Sequence, residues 1–248
     1  MTNFAIFIPA RMASTRLPQK ILRKIGGKSM ISHVVARAQE SSIDNNKIFV
    51  ATDSAEIVQD LEEHDISCIM TSVTHNTGSD RVFEALQNIE HQDLEYIINL
   101  QGDIPFIEPK TIDTLKDIML SSNYDILTMA SPITDKKKIH DSNVVKVAIA
   151  LESEKATHGK ALYFSRQAIP HNAKTYYEHS GIYLYRKEAL EKFVSLKRSH
   201  LEIQEQLEQL RALENGIQIG VTITPEAPLN IDTHLGLKKA QKLHKQKT

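Results

Sequence analysis

Cysteine is almost absent. Cys68 is the single one in 248 residues, which excludes a disulfide framework or a cysteine-built zinc site within one chain and fits a reducing, cytoplasmic setting. Long apolar runs are absent too: nothing approaches the roughly 18 residues of a membrane span. Arg11 and Arg16 come too early for an N-terminal export signal, and no cleavage-like site follows them. Net charge is small, at −1, which argues against a general nucleic-acid binder. The eleven histidines form no His-Glu-x-x-His, no G-x-S-x-G elbow occurs and no G-x-G-x-x-G follows a strand. A zinc hydrolase, a serine hydrolase and a conventional dinucleotide site are therefore unsupported. What remains is an ordinary globular composition, 41% apolar and 25% charged, long enough for one large α/β domain with or without an embedded lobe.

The most informative absence is local. No acidic residue precedes Glu40, while Arg11, Arg16, Lys20, Arg23, Lys24, Lys28 and Arg37 put seven cations in that stretch. Phe4 to Ile8 is a short continuous apolar run, which suits a strand buried on both faces. The loop after it, "PARMASTRLPQK", cannot pack in a core, because Arg11, Arg16 and Lys20 would each need a counter-ion there. If the loop curls back, these cations converge on a polyphosphate, with Ser14, Thr15 and their backbone N–H groups adding contacts. A solvated basic surface loop is the competing reading. Gly26-Gly27-Lys28-Ser29 looks like the end of a P-loop, but Leu22 stands where the first Gly is required. It reads instead as a turn before the next helix.

Strand-like and helix-like segments alternate along the first half. Met30 to Gln39 has helical spacing, and Lys47 to Ala51 reads as a strand ending at a helix start, Thr52-Asp53-Ser54. Ile57, Val58 and Leu61 form the next helical stripe. Cys68 to Met70 is a short strand, Val82 to Ile89 a helix and Tyr96 to Leu100 a strand. This pattern predicts an α/β fold with a mostly parallel central sheet, helices on both faces and ligands at the strand ends. In the second half, Val144 to Leu151, Ala161 to Phe164, Gly181 to Tyr185 and Ile217 to Ile223 are strand candidates. Leu201 to Asn215 reads as one helix ended by Gly216, and Leu235 to Leu243 as a closing helix. The chain is expected to be a single domain over 1–248 with an insertion-like lobe at roughly 130–215.

Several polar groups stand where this fold would use them. Gln101-Gly102-Asp103 follows a strand directly, which places Asp103 to hold a divalent cation; an Asx-type turn before Pro105 would use the same residues. Asp232 lies between a strand-like stretch and a helix and would serve equally as a plain N-cap. His75 to Arg81, "HNTGSDR", combines small polar groups and an Arg before a helix, suited to a base or ribose, with Ser79 equally suited to a cap. Glu205, Glu208 and Gln209 share one face of the expected helix, which solvation alone would explain. Lys146, Arg166 and His179 are isolated polar residues in strand-like settings.

Taken in order, these stretches resemble the 3-deoxy-manno-octulosonate (KDO) cytidylyltransferases, of the Rossmann-like sugar nucleotidyltransferase group. The resemblance is carried by "IPARMASTRLPQKIL", "IFVATDS", "HNTGSDRV", "NLQGD", "ALYFSRQAIP", "HSGIYLYR", "LEQLRALENG" and "IDT". It implies transfer of CMP from CTP to the anomeric hydroxyl of KDO, an acidic eight-carbon sugar, with release of pyrophosphate, in lipopolysaccharide synthesis. It also implies Mg²⁺ and a cytoplasmic homodimer whose smaller lobe serves the sugar and dimerisation. Position by position, Arg11, Arg16 and Lys20 would hold the CTP phosphates, with Ser14 alongside. Gly78, Ser79 and Arg81 would lie around the cytidine, with Gln101 close to the nucleotide or the sugar, and Asp103 and Asp232 would bind the metal. Arg166, His179, Glu205, Glu208 and Gln209 fall in the sugar-binding stretches. The chain departs from the family at Gln19, usually Gly, at Ile21, usually Pro, at Ile104, usually Glu, and in the residues after Thr233. The alternatives are a cytidylyltransferase for sialic acid or amino-KDO and a catalytically silent nucleotide-binding homologue.

Overall fold

The computed structural model describes residues 3–14, 16–75, 77–89 and 93–247. Thr15 and Asn76, which the sequence places in the phosphate loop and in the base or ribose stretch, lie outside the described residues. In chain order the first elements are β1 (Phe4–Ala10), β2 (Lys24–Ile25), β3 (Lys28–Ser29), α1 (Met30–Gln39), β4 (Ile48–Thr52), α2 (Ala55–Leu61), β5 (Ser67–Met70), α3 (Gly78–Gln87), β6 (Tyr96–Asn99) and α4 (Pro109–Ser121). They are followed by β7 (Ile126–Pro132), α5 (Lys136–Ile139), β8 (Lys146–Ala150), β9 (His158–Ser165), β10 (Tyr177–Arg186), α6 (Lys187–Ser195), α7 (His200–Glu205), α8 (Gln209–Glu214), β11 (Ile219–Ile223) and α9 (His234–Lys247). The chain forms two compact units, Met1–Asp113 with Pro228–Thr248, and Thr114–Ala227. The second is wider at both ends than the 130–215 lobe read from the sequence. None of the described helices is long and apolar enough to cross a membrane.

The strands of the first unit run β5-β4-β1-β6, all parallel. Parallel pairing puts their carboxyl ends on one edge, so the residues following Ala10, Thr52 and Asn99 meet there. β1 is two residues longer than expected and includes Pro9. Phe7 C=O accepts from Leu100 N–H, so Pro9, two residues on, faces the same side. Pairing with β6 ends at Phe7↔Asn99, so the missing N–H of Pro9 removes no ladder bond. Gly26 and Gly27, at φ 57° and 88°, join β2 and β3 as a two-residue hairpin, the turn read from the sequence. α1 matches its expected span and is capped by Ser29, whose side chain accepts from Ser32 N–H. Thr77, not Ser79, caps α3, accepting from Asp80 N–H.

In the second unit the order is β10-β7-β11-β9-β8, and β10 also meets β8 at Glu178↔Lys146, so the strand order closes on itself. Only β7–β11 is parallel among these pairings; the others are antiparallel. β7 escaped the sequence reading because Thr128 and Ser131 interrupt its apolar run. Both are buried, and Thr128 Oγ1 lies 3.1 and 2.7 Å from the Ser180 and Ile182 carbonyl oxygens.

The single helix expected over Leu201–Asn215 is two. α7 ends at Glu205, its C-cap Gln206 takes φ 53°, and α8 starts at Gln209. The break follows from a buried ion pair: Arg211 Nε and Nη2 donate to the two oxygens of Glu202 at 2.8 and 2.7 Å. One straight helix would set residues 202 and 211 roughly 13 Å apart along its axis, out of reach. Gly216 N–H bonds to Leu213 C=O and Ile217 N–H to Ala212 C=O, a Schellman ending of α8 as the sequence implied.

Two predictions concern this unit. Glu202→Gln should destabilise the protein by about 3–5 kcal/mol in urea unfolding, since Arg211 keeps its charge in a buried place. The Glu202→Leu/Arg211→Met pair should lose much less. Second, burial lowers the pKa of His179 to about 3; its ring packs edge-on to Phe164 at 4.9 Å and Nε2 lies 2.9 Å from Thr128 Oγ1. Between pH 6.5 and 3 the unfolded chain binds this proton and the folded one does not, so stability falls as pH drops through that window. His179→Gln should remove about 2 kcal/mol of the stability difference between pH 7.5 and 5.0, read from urea midpoints at both pH values.

Candidate active site

The site lies in the first unit, at the carboxyl edge of its sheet. Leu17 is fully buried in a cluster with Ile25, Met30, Ile231 and Ala240, and Phe106, Leu229 and Leu237 pack against it. Burying Leu17 pins the basic loop in its middle, while the Arg16 side chain stays 59% exposed. Burying Ile231 pins the segment that carries Asp232, and Ile231 N–H donates to the Asp103 carbonyl at 3.0 Å. Gly102 lets the backbone pass closely beside Asp103: an added Cβ would stand 3.1 Å from the Pro9 carbonyl oxygen and 3.2 Å from Ile21, a tight fit that the neighbours would have to give way to. Gln19 takes φ 53°, the left-handed conformation in which glycine is free of strain. Ile104 is buried at 4% exposure, where an apolar side chain belongs.

These anchors bring the charges together. Lys20 Nζ lies 2.5 Å from Asp103 Oδ2 and 2.8 Å from Asp232 Oδ1, and Arg16 Nη2 lies 3.2 Å from Asp232 Oδ2. Asp103 Oδ1 is buried and has no hydrogen-bond partner among the described residues. Burial opposes the Lys20 charge, but attraction to Asp103 and Asp232 outweighs it and raises the Lys20 pKa, so Lys20 is an ammonium. Burial pushes the Asp103 carboxyl up, Lys20 pulls it back in part and the Asp232 charge adds to the rise.

One cleft joins Arg11, Ser14, Arg16, Lys20, Gly78, Arg81, Gln101, Asp103 and Asp232, nine of the residues singled out from the sequence. Ser79 is fully buried and does not line it. Arg81 is buried, with Nη2 donating to Asp53 Oδ2 at 2.7 Å and Nη1 to Thr71 Oγ1 at 2.6 Å. Gln101 Nε2 donates to Asn99 Oδ1 at 3.0 Å. Asp53, Thr71 and Asn99 were missed as supporting residues. All three had a signal, since Asn99 ends β6 and Asp53 and Thr71 directly follow the carboxyl ends of the parallel strands β4 and β5. His75 and Thr77 also line the cleft, and His75 pairs with Glu84.

The remaining residues belong to the second unit. Glu205 ends α7, Glu208 is the N-cap of α8 and Gln209 its first residue, so the helical face expected to join them does not exist. The Glu205 carboxylate accepts from Ser165 Oγ at 2.7 Å and from Arg166 N–H at 2.9 Å. The Arg166 guanidinium donates to the carbonyls of Ser142, Glu205 and Gln206. Lys146 is buried and gives all three ammonium donors to the carbonyls of Asp141, Val144 and Arg166. His179 is neutral against the Phe164 ring, and Gln209 is 5% exposed. Among the described residues no group of three or more His, Cys, Asp or Glu is arranged to hold a metal.

Residues 5–219 match the family model described as cytidylyltransferase. The 3-deoxy-manno-octulosonate cytidylyltransferase of Rickettsia prowazekii (strain Madrid E) is 44% identical over 245 residues, 98% of this chain and 96% of that protein. That of Agrobacterium fabrum (strain C58 / ATCC 33970) is 44% identical over 239 residues, 96% of this chain and 94% of that protein. A solved structure of CMP:2-keto-3-deoxy-manno-octonic acid synthetase complexed with CTP superposes with a TM-score of 0.90 at 34% identity, covering 100% of both chains. A loop of cations closed onto two carboxylates at the edge of a parallel sheet, with this likeness over nearly the full length, places the chain in the 3-deoxy-manno-octulosonate cytidylyltransferase family.

Proposed function

We propose that this chain transfers CMP from CTP to the anomeric hydroxyl of KDO, giving CMP-KDO and pyrophosphate for lipopolysaccharide synthesis. The observation that carries the reading is the convergence of Arg16 and Lys20 on Asp103 and Asp232 in a cleft that Arg11 also lines. Cations that neutralise phosphates and carboxylates that hold a metal are the two halves of a nucleotidyl-transfer site. The acceptor is taken from the names of the relatives.

Asp103 and Asp232 would hold Mg²⁺, and the residues fit it. Both donors are hard carboxylates, Asp103 Oδ1 has no partner among the described residues, and the pair already converges on a cation. When bound, Mg²⁺ supplies Lewis-acid polarisation of a phosphoryl oxygen. The chain's own residues do the rest by placement and charge. Arg11, Arg16 and Lys20 hold the triphosphate and neutralise the charge that develops on the leaving pyrophosphate. Ser14 adds a hydroxyl at the loop. Arg81, held by Asp53 and Thr71, and Gln101, held by Asn99, present fixed polar groups to the nucleoside. The anomeric oxygen attacks the α-phosphorus, the bond from that phosphorus to the bridging oxygen breaks, and the hydroxyl proton is released. Arg166, Glu205, Glu208, Gln209 and His179 are assigned to the acidic sugar by family position. His179, uncharged, would act as a neutral contact rather than a cation. The reading includes a cytoplasmic homodimer.

Pyrophosphate release from CTP and Mg²⁺ should depend on added KDO and should exceed release with sialic acid or amino-KDO. Lys20→Ala and Asp103→Asn should each lower turnover by about 10²–10³-fold. Release that tracks another acceptor would reassign the sugar, and folded protein that binds CTP without releasing pyrophosphate would be a silent homologue.

A further inference from the structure

The four charged groups at the centre of the cleft neutralise one another. Asp232 has both oxygens engaged, one by Lys20 and one by Arg16, and Asp103 has one engaged by Lys20. Two cations and two anions sum to zero, so these four groups add no net charge to the cleft, and Arg11 on its wall is left as the main attraction for a bare triphosphate and opposes a bare divalent cation. Lys20 is also tightly placed: its side chain is 14% exposed, and Leu17 and Ile21 on either side are buried. Two of its three N–H donors are spent on the carboxylates, so it meets a phosphate with one donor unless it lets them go.

We propose that Lys20 is the resident counter-ion of the Asp103–Asp232 pair and that substrate binding is an exchange of partners. This rests on the reading of the cleft as a CTP and divalent-cation site. Incoming phosphates draw Lys20 and Arg16 off the carboxylates, and the divalent cation takes the place of the ammonium on Asp103 and Asp232. Each half of the exchange relieves the cost of the other. Two partly buried carboxylates that share one ammonium repel each other unless a cation lies between them, and Lys20 supplies it until the divalent ion arrives. By linkage, nucleotide and metal must raise each other's affinity at the protein, beyond their complex in solution. The device gates the site against binding either one alone.

The test uses Mn²⁺ and the full-length, nucleotide-free protein, read by the EPR signal of free Mn²⁺. Lys20→Met should bind Mn²⁺ at least about tenfold more tightly than wild type, because the competing ammonium is gone. Arg11→Met removes the same charge from the cleft wall and should change Mn²⁺ affinity less than about twofold. If Lys20→Met binds no more tightly, or if Arg11→Met gives the same gain, the exchange is overturned. Circular dichroism checks folding, and Lys20→Gln, which keeps a donor for the carboxylates, serves if the Met variant does not fold. A separate arm measures Mn²⁺ in the CTP-loaded wild type and in Asp103→Asn. Loss of the bound ion in that variant supports the metal reading. No change there would overturn that reading, and the exchange with it, whatever the nucleotide-free arm shows.

Discussion

A single backbone hydrogen bond, from Ile231 N–H to the Asp103 carbonyl at 3.0 Å, ties two distant parts of the chain into one site. It sets the segment after Pro228 beside the loop after β6. The apolar cluster of Leu17, Ile25, Met30, Ile231 and Ala240 then holds the basic loop on the same patch. Full burial of such side chains stabilises by about 1.5–3 kcal/mol each. Leu17 and Ile231 are each one residue from a charged group of the site, so hydrophobic burial is what positions Arg16 and Asp232. Strong ionic contacts here are a product of apolar anchoring.

The two units satisfy their buried charges differently. In the first, Lys20 and Arg16 face Asp103 and Asp232 in a cleft where they stay exchangeable, although Arg81 is held by Asp53. In the second, Lys146 and Arg166 donate to backbone carbonyls, and Glu202 and Arg211 form a closed bidentate pair with Phe193 4.8 Å beneath the guanidinium. Carbonyls cannot leave, so those cations are fixed parts of the framework. Arg166 and Glu205 would then meet a ligand as a preassembled surface.

The parallel half of the fold was legible because its signals are local. Apolar runs such as Phe4–Ile8 and Tyr96–Leu100 are buried on both faces, and the residues just past their carboxyl ends must lie at one edge. Arg11, Arg16, Lys20 and Asp103 could be placed from that rule and the missing acids alone. Asp232 needed the resemblance, since by itself it reads as a cap. The second unit was less legible. Thr128 is polar yet buried because carbonyls of β10 lie within hydrogen-bonding distance, and nothing near it in sequence announces them. The split of Leu201–Asn215 depends on Glu202 meeting Arg211, a contact that helical periodicity hides. Asp53 looked like part of a helix start, but its carboxylate holds Arg81.

The first unit is assembled from two separate stretches, residues 1–113 and 228–248. This has a consequence for synthesis on the ribosome. While the nascent chain is still short of Pro228, Leu17, Ile25 and Met30 have no Ile231 or Ala240 to cover them, and Lys20 has Asp103 without Asp232. The site is thus completed only once residues 231 and 232 have been made. A truncated product retains an uncovered apolar patch beside an unbalanced cation, a surface that quality-control proteases and chaperones recognise by its chemistry.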